Sequence, residues 1–273
     1  MTSKFCVVGS PIAHSLSPVL HRAAYKYLEL DFSYEAQEVR QGKLAAFLEG
    51  SDFQGLSVTM PLKPEAFGLA VSQSEQATLT GAVNTLTRTA GGWHASNTDI
   101  YGLTQALKTI SRPSSTVILG AGATTGSALT ALAELFPDSQ VKVMARDDMA
   151  INRSVEFGLS LGLEVSGSAV SSEAIINSDL VLSLVPAGSF VDTWSEVSRA
   201  QAARNGWLFD ASYNPWPSLP ATSWGSKRVI SGLEMLIWQA IEQVAQFAAS
   251  VGKDIELDRP AVYEVMKQAL SNN

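Results

Sequence analysis

The apolar positions of this chain form two successive runs of strand and helix patterns, separated by a short polar break. Lys4 to Val8 contains Phe5-Cys6-Val7-Val8, an unbroken apolar block of the length expected for a strand buried on both faces. Ser15-Leu16-Ser17-Pro18 then opens a helical pattern through Val19, Leu20, Ala23, Ala24 and Leu28. Ser17 is of the type that caps a helix, and Pro18 suits the first helical position. Phe32 to Val39 reads as a second strand, Lys43 to Leu48 as a short helix, and Leu56 to Met60 as a third strand ending in Pro61-Leu62-Lys63. This alternation predicts a mostly parallel α/β sheet. Ala82 to Thr87 and Trp93 to Ala95 flank Ala90-Gly91-Gly92, which reads as a hairpin turn, and a helix through Leu103, Ala106 and Leu107 follows Asn97-Thr98-Asp99.

The break is Ser111-Arg112-Pro113-Ser114-Ser115. Beyond it the strand Val117-Ile118-Leu119 runs into Gly120-Ala121-Gly122-Ala123-Thr124-Thr125-Gly126, then a helix with Ala128, Leu129, Leu132 and Ala133 on one face, then a strand from Val141 to Ala145. That spacing predicts one βαβ crossover. Further strands are expected at Leu180 to Leu184 and Leu208 to Asp210, and a long helix from Leu233 to Ser250 with Leu236, Ala240, Val244, Phe247 and Ala248 on its buried side. A length of 273 residues also favours two domains, at about 150 residues each.

Composition narrows the function classes. Charged residues are only 16% of the chain and the formal net charge is -7, with no run of Lys or Arg, so DNA or RNA binding is not expected. The apolar stretches fall well short of the roughly 20 residues of a membrane helix, and the block after Met1-Thr2-Ser3-Lys4 is too short for a signal peptide, which points to the cytoplasm. Cys6 is the single cysteine and reads as a small buried group. His14, His21 and His94 lack metal-ligand spacing, so no metal site is expected.

Three constellations carry candidate chemistry. The glycine loop, set between strand and helix, suits a pyrophosphate at a helix N-terminus, or else is a plain tight turn; its third glycine, Gly126, falls one place late, with Thr125 in the usual position. At the end of the following strand, Ala145 stands where an NAD site places an acid and Arg146 follows, which favours NADP; Asp147 and Asp148 keep NAD open, and Arg146 paired with them at the surface is the plainer reading. Ser15 and Ser17 at a helix start can converge on a carboxylate, or serve only as turn and cap. Lys63 lies past the end of a central strand, and a lysine beside an aspartate such as Asp99 can move a proton; separate solvated charges are the alternative.

Six blocks occur in the order of the shikimate dehydrogenase family: Gly9 to Pro18, Ser57 to Lys63, Gly81 to Leu86, Asn97 to Gly102, the glycine loop, and Gly232 to Ala240. The chain resembles that family over nearly its whole length, and Ser57-Val58-Thr59-Met60-Pro61 with Tyr213-Asn214-Pro215-Trp216-Pro217 looks like its actinobacterial branch. The resemblance implies reversible NADP-linked reduction of 3-dehydroshikimate to shikimate, in aromatic amino acid biosynthesis. It implies that Lys63 and Asp99 form the catalytic pair. Ser15 and Ser17 would bind the substrate carboxylate with Tyr213 nearby, and Ser57, Thr59, Asn84 and Gln239 would be further substrate contacts. Ser57 replaces the asparagine that many members carry. Gly120, Ala121, Gly122, Ala123, Thr124 and Arg146 would bind the cofactor. The implied fold is a substrate domain from residues 1–101 and 233–273 and a Rossmann-type NADP domain from residues 102–232, as a monomer or homodimer. Asp147 leaves an NAD-dependent quinate/shikimate dehydrogenase as one alternative, and a non-catalytic metabolite-sensing homologue is another.

Overall fold

Two six-stranded sheets are built from this alternation in a computed structural model, which describes residues 2–200 and 205–271. The N-terminal stretch contains β1 (Ser3–Gly9), α1 (Ser17–Tyr27), β2 (Phe32–Glu38), α2 (Leu44–Gly50), β3 (Gly55–Val58), α3 (Lys63–Leu69), β4 (Ser72–Gln73), α4 (Glu75–Thr80), β5 (Thr85–Thr89), β6 (Gly92–Ser96) and α5 (Asp99–Leu107). The middle contains β7 (Ser115–Leu119), α6 (Ala123–Leu135), β8 (Gln140–Met144), α7 (Asp148–Ser160), β9 (Glu164–Ser168), α8 (Ser172–Ile176), β10 (Leu180–Ser183), α9 (Val191–Arg199), β11 (Trp207–Asp210), α10 (Leu219–Trp224) and β12 (Val229–Ser231). The chain closes with α11 (Gly232–Ser250) and α12 (Arg259–Ser271). It divides into one unit of residues 1–102 and 236–273 and a second of residues 103–235.

In the first unit the strand order is β2-β1-β3-β5-β6-β4. β1 pairs in parallel with β2 and β3, while the β5–β6 hairpin enters antiparallel, so the sheet is mixed. The period of two along β1 explains its unbroken apolar run. Phe5 and Val7 pack with Leu20, Val244, Phe247 and Val262 of α1, α11 and α12, and Cys6 and Val8 pack with Leu44, Leu48 and Ala66 of α2 and α3. Burial of each such side chain contributes about 1.5–3 kcal/mol.

The second unit has the order β12-β11-β10-β7-β8-β9, and every pairing in it is parallel. Counted from β7 this is the doubly wound dinucleotide-binding order, and its switch point lies between β7 and β10. Ile118, Val143, Leu182 and Phe209 face a core with α5 and α6, and Val117, Leu119, Val181 and Leu208 face another with Trp194 and Trp224.

Three local expectations are corrected. Ser17 is the first residue of α1 rather than its cap; Leu16 holds the cap position, and the Ser17 N–H donates to Ser15 Oγ at 3.3 Å. β3 stops at Val58, because Thr59 turns the chain: Leu62 N donates to Thr59 O at 2.9 Å, and α3 begins at Lys63. On α11, Leu236 is only partly buried, whereas Ile237 and Ile241 are fully so.

Candidate active site

Close backbone approach brings the first block of motifs together. The end of β1 passes so near the turn after β3 that a Cβ at Gly9 would lie 2.9 Å from Met60 O, and Ser10 N donates to that carbonyl at 3.1 Å. A side chain at position 9 would push the Thr59–Lys63 turn away from β1. The turn delivers Lys63 to the N-terminus of α3, where an ammonium is disfavoured by the helix dipole unless a carboxylate answers it.

Asp99 is that carboxylate. It begins α5, where the dipole favours an acid, and its N–H is held by Asn97 Oδ1 at 2.9 Å. Lys63 Nζ and Asp99 Oδ2 form an ion pair, with side chains 15% and 8% exposed. The solvated-charge reading is therefore set aside: these are the two ends of one nearly dry pair.

Asn84, at the start of the hairpin, fixes the aspartate from the other side. The two hydrogens of its Nδ2 are shared among three acceptors, Asp99 Oδ1 and Thr98 Oγ1 at 2.8 Å each and Gln239 Oε1 at 3.1 Å. Its Oδ1 accepts from Thr98 N at 2.8 Å, a group that can only donate, so the orientation of the carboxamide is determined. Gln239 Nε2 donates to Leu236 O at 2.8 Å. The structure thus joins Lys63, Asn84, Asp99 and Gln239 in one cluster. Thr59 lies one turn before Lys63 and is half-buried; Ser15 and Ser17 stand together at the start of α1.

Ser57 lies within a second, buried layer. Its hydroxyl accepts from Tyr34 OH and donates to Gln243 Oε1, both at 2.6 Å. Tyr34 stacks on His21 with ring centroids 4.0 Å apart, and burial raises its phenol well above the ordinary value, opposed by its bond to Ser57. Burial lowers His21 to about 3, against a smaller pull from Gln243. Sequence reading missed Gln243, Thr85 and Tyr34. The available signal was Gln239 and Gln243 spaced by four on the apolar face of α11.

In the second unit, the glycine loop leaves β7 at the switch point. Gly120 has φ of +115°, and a Cβ there would meet Leu184 O at 3.1 Å. Gly122 caps α6 without any side-chain bond, which leaves the helix N–H groups beside Ala121, Ala123 and Thr124 open to an anion. Thr125, in the place of the third glycine, is buried and donates its hydroxyl to Gly120 O at 3.1 Å, so it ties the loop down. These features fit a dinucleotide pyrophosphate. Arg146 follows β8 and lies over the Phe190 ring at 4.9 Å; among the described residues it forms no ion pair with Asp147 or Asp148. Asp147 Oδ1 instead caps α7, accepting from Met149 N at 2.9 Å and Ala150 N at 3.2 Å. One oxygen of that carboxylate is thus taken up by the cap, and the Arg146 guanidinium rests on Phe190. Tyr213 follows β11 in a segment held at both ends by buried Asp210, which accepts from Ser212 N at 3.2 Å and from Ser218 Oγ. Burial raises the Tyr213 phenol. No cluster of potential metal ligands occurs among the described residues.

Comparisons with known proteins agree with this geometry. A family model of the shikimate dehydrogenase substrate binding domain matches residues 7–86. The chain is 30% identical over 283 residues to a shikimate dehydrogenase (NADP(+)) of Crocosphaera subtropica, covering 98% of this chain and 95% of that one. The crystal structure of Mycobacterium tuberculosis shikimate dehydrogenase superposes with a TM-score of 0.84 at 36% identity, over 99% of both chains. Shikimate 5-dehydrogenase of Thermus thermophilus, solved in complex with NADP(H) and shikimate, matches with a TM-score of 0.80 at 27% identity, over 98% of this chain and 100% of that one. With near-complete coverage on both sides, the chain belongs to the shikimate dehydrogenase family.

Proposed function

We propose that this chain is a shikimate dehydrogenase, which reduces 3-dehydroshikimate to shikimate reversibly with NADPH in aromatic amino acid biosynthesis. The observation that carries the reading is the Lys63–Asp99 pair, nearly dry and braced by Asn84. NADPH, when bound, supplies the hydride. The chain's own task is the proton and the orientation of the ligand. As charge develops on the C3 oxygen, Lys63 Nζ donates a proton to it or stabilises the alkoxide, while Asp99 holds the ammonium in place. In the oxidising direction Lys63 takes that proton back.

In this reading the first unit binds the substrate and the second binds the cofactor. Ser15 and Ser17 take the carboxylate, Thr59, Asn84 and Gln239 take hydroxyls, and Tyr213 is assigned to the substrate too. Gly120, Ala121, Gly122, Ala123 and Thr124 hold the pyrophosphate, and Arg146 the 2′-phosphate. The enzyme acts in the cytoplasm as a monomer or homodimer; no helix among the described residues is long and apolar enough to cross a membrane. The test is kcat/KM for NADP and NAD, each with shikimate and quinate, followed by nicotinamide absorbance. Shikimate with NADP is expected to give the highest value. A lead for NAD with quinate, or binding without any reduction, overturns the proposal.

A further inference from the structure

We infer that Gln243 is a positioning residue for the Lys63–Asp99 pair, acting through Thr85 and Asn84, with Tyr34 and Ser57 fixing Gln243 in turn. The inference rests on the shikimate dehydrogenase reading and extends it to a buried layer of five residues, Tyr34, Ser57, Gln243, Thr85 and Asn84. Their hydrogen bonds run in a single direction. Tyr34 OH donates to Ser57 Oγ, and Ser57 donates to Gln243 Oε1, each at 2.6 Å. Gln243 Nε2 donates to the Asn84 carbonyl at 3.1 Å and to Thr85 Oγ1 at 2.9 Å. Thr85 donates to Asn84 Oδ1 at 2.8 Å, and Asn84 Nδ2 donates to Asp99 Oδ1 at 2.8 Å.

Two main-chain groups remove the freedom to reverse this order. The Asn84 carbonyl can only accept, so the nitrogen of Gln243 must face it. The Thr98 N–H can only donate, so the oxygen of Asn84 must face it. Both carboxamides are therefore locked, and the Asn84 side-chain N–H is aimed at the catalytic carboxylate. In so dry a layer a missing hydroxyl at Thr85 leaves Gln243 Nε2 one acceptor short and Asn84 Oδ1 one donor short, which loosens the aim of the Asn84 N–H at Asp99. Ser57, which the resemblance puts at the substrate, acts in this scheme through Gln243. Its hydroxyl ties β3 to α11 through the Gln243 oxygen.

Thr85→Val removes the hydroxyl between Gln243 and Asn84 while keeping the branched shape. The expected result is a kcat with shikimate and NADP lowered about tenfold, with the NADP Kd unchanged within about twofold. Thr85→Ser, which restores the hydroxyl, should recover most of the lost turnover, and Gln243→Leu should lower kcat as Thr85→Val does. In isotopically labelled protein without ligands, the Asn84 side-chain amide resonance should shift on Thr85→Val. A folded Thr85→Val protein with wild-type kcat, or an unmoved Asn84 resonance, overturns the inference. So does a loss of kcat, NADP affinity and Tm together that Thr85→Ser does not reverse, since that marks a purely structural tether. If the wild-type protein fails to turn over shikimate, the proposed function falls, while the Asn84 resonance still decides the relay.

Discussion

Replacing Lys63 by methionine removes the ammonium but keeps an unbranched stem, so the effect falls on the ion pair rather than on packing. The pair's side chains are 15% and 8% exposed, so Asp99 would lose its cation in a nearly dry setting. Breaking a buried pair from one side costs about 3–5 kcal/mol. Here Asp99 keeps the Asn84 N–H at 2.8 Å and its place at the start of α5. The expected loss is therefore smaller, about 2–3 kcal/mol in urea denaturation. Adding Asp99→Asn removes the stranded charge, so the double variant should recover about 2 kcal/mol relative to the sum of the two single losses. Turnover should behave differently. Loss of a positioned proton donor lowers kcat by about a hundredfold or more, and the double variant should recover none of it, because no group is left to serve the C3 oxygen. Nicotinamide absorbance at saturating shikimate and NADP reads this directly. A Lys63→Met protein with kcat within about tenfold of wild type, or single losses in stability that simply add, would refute the pairing argument.

Arg146→Gln should raise the Kd of NADP by about 10–100-fold and that of NAD little, as titration calorimetry would read, because one charge-assisted contact to a 2′-phosphate is lost. Gly120→Ala places a Cβ at φ of +115° and 3.1 Å from Leu184 O; it should destabilise the second unit by about 1–3 kcal/mol and weaken NADP binding about tenfold, in thermal denaturation and fluorescence titration. His21 is lowered from 6.5 to about 3 by burial, so the unfolded chain binds the proton first. Stability is full above pH 6.5 and falls as pH drops toward 3. The His21 share of that loss is about 2 kcal/mol near pH 5, and His21→Phe should flatten this part of the urea-midpoint profile.

Local patterns made much of this protein legible from its residues. The apolar block Phe5 to Val8 is a strand covered on both sides; the glycine loop joins β7 to α6; Ala90-Gly91 turns the hairpin, in which Thr89 pairs with Gly92. Each depends on side-chain period or backbone freedom within a few residues, and such information is carried by neighbours in the chain. The position of the α1 cap has the same scale: Leu16 and Ser17 differ by one position, and Leu16 is the cap because its carbonyl accepts from Leu20 N at 3.2 Å.

What the residues could not show is which distant groups meet. Lys63 and Asp99 are 36 positions apart, Asn84 and Gln239 are 155 apart, and Ser57 and Gln243 are 186 apart. Whether two such groups touch depends on strand order, on the antiparallel entry of the β5–β6 hairpin, and on how α11 packs over β1 and β3, and no local propensity encodes those choices. Chain neighbours alone dictate the strands, the phosphate-loop type and the candidate charges. Folding is what makes Asp147 a helix cap, leaves Arg146 without an acid partner among the described residues, and draws Ser57 into the buried layer, because each of those roles is set by the groups brought within hydrogen-bond distance.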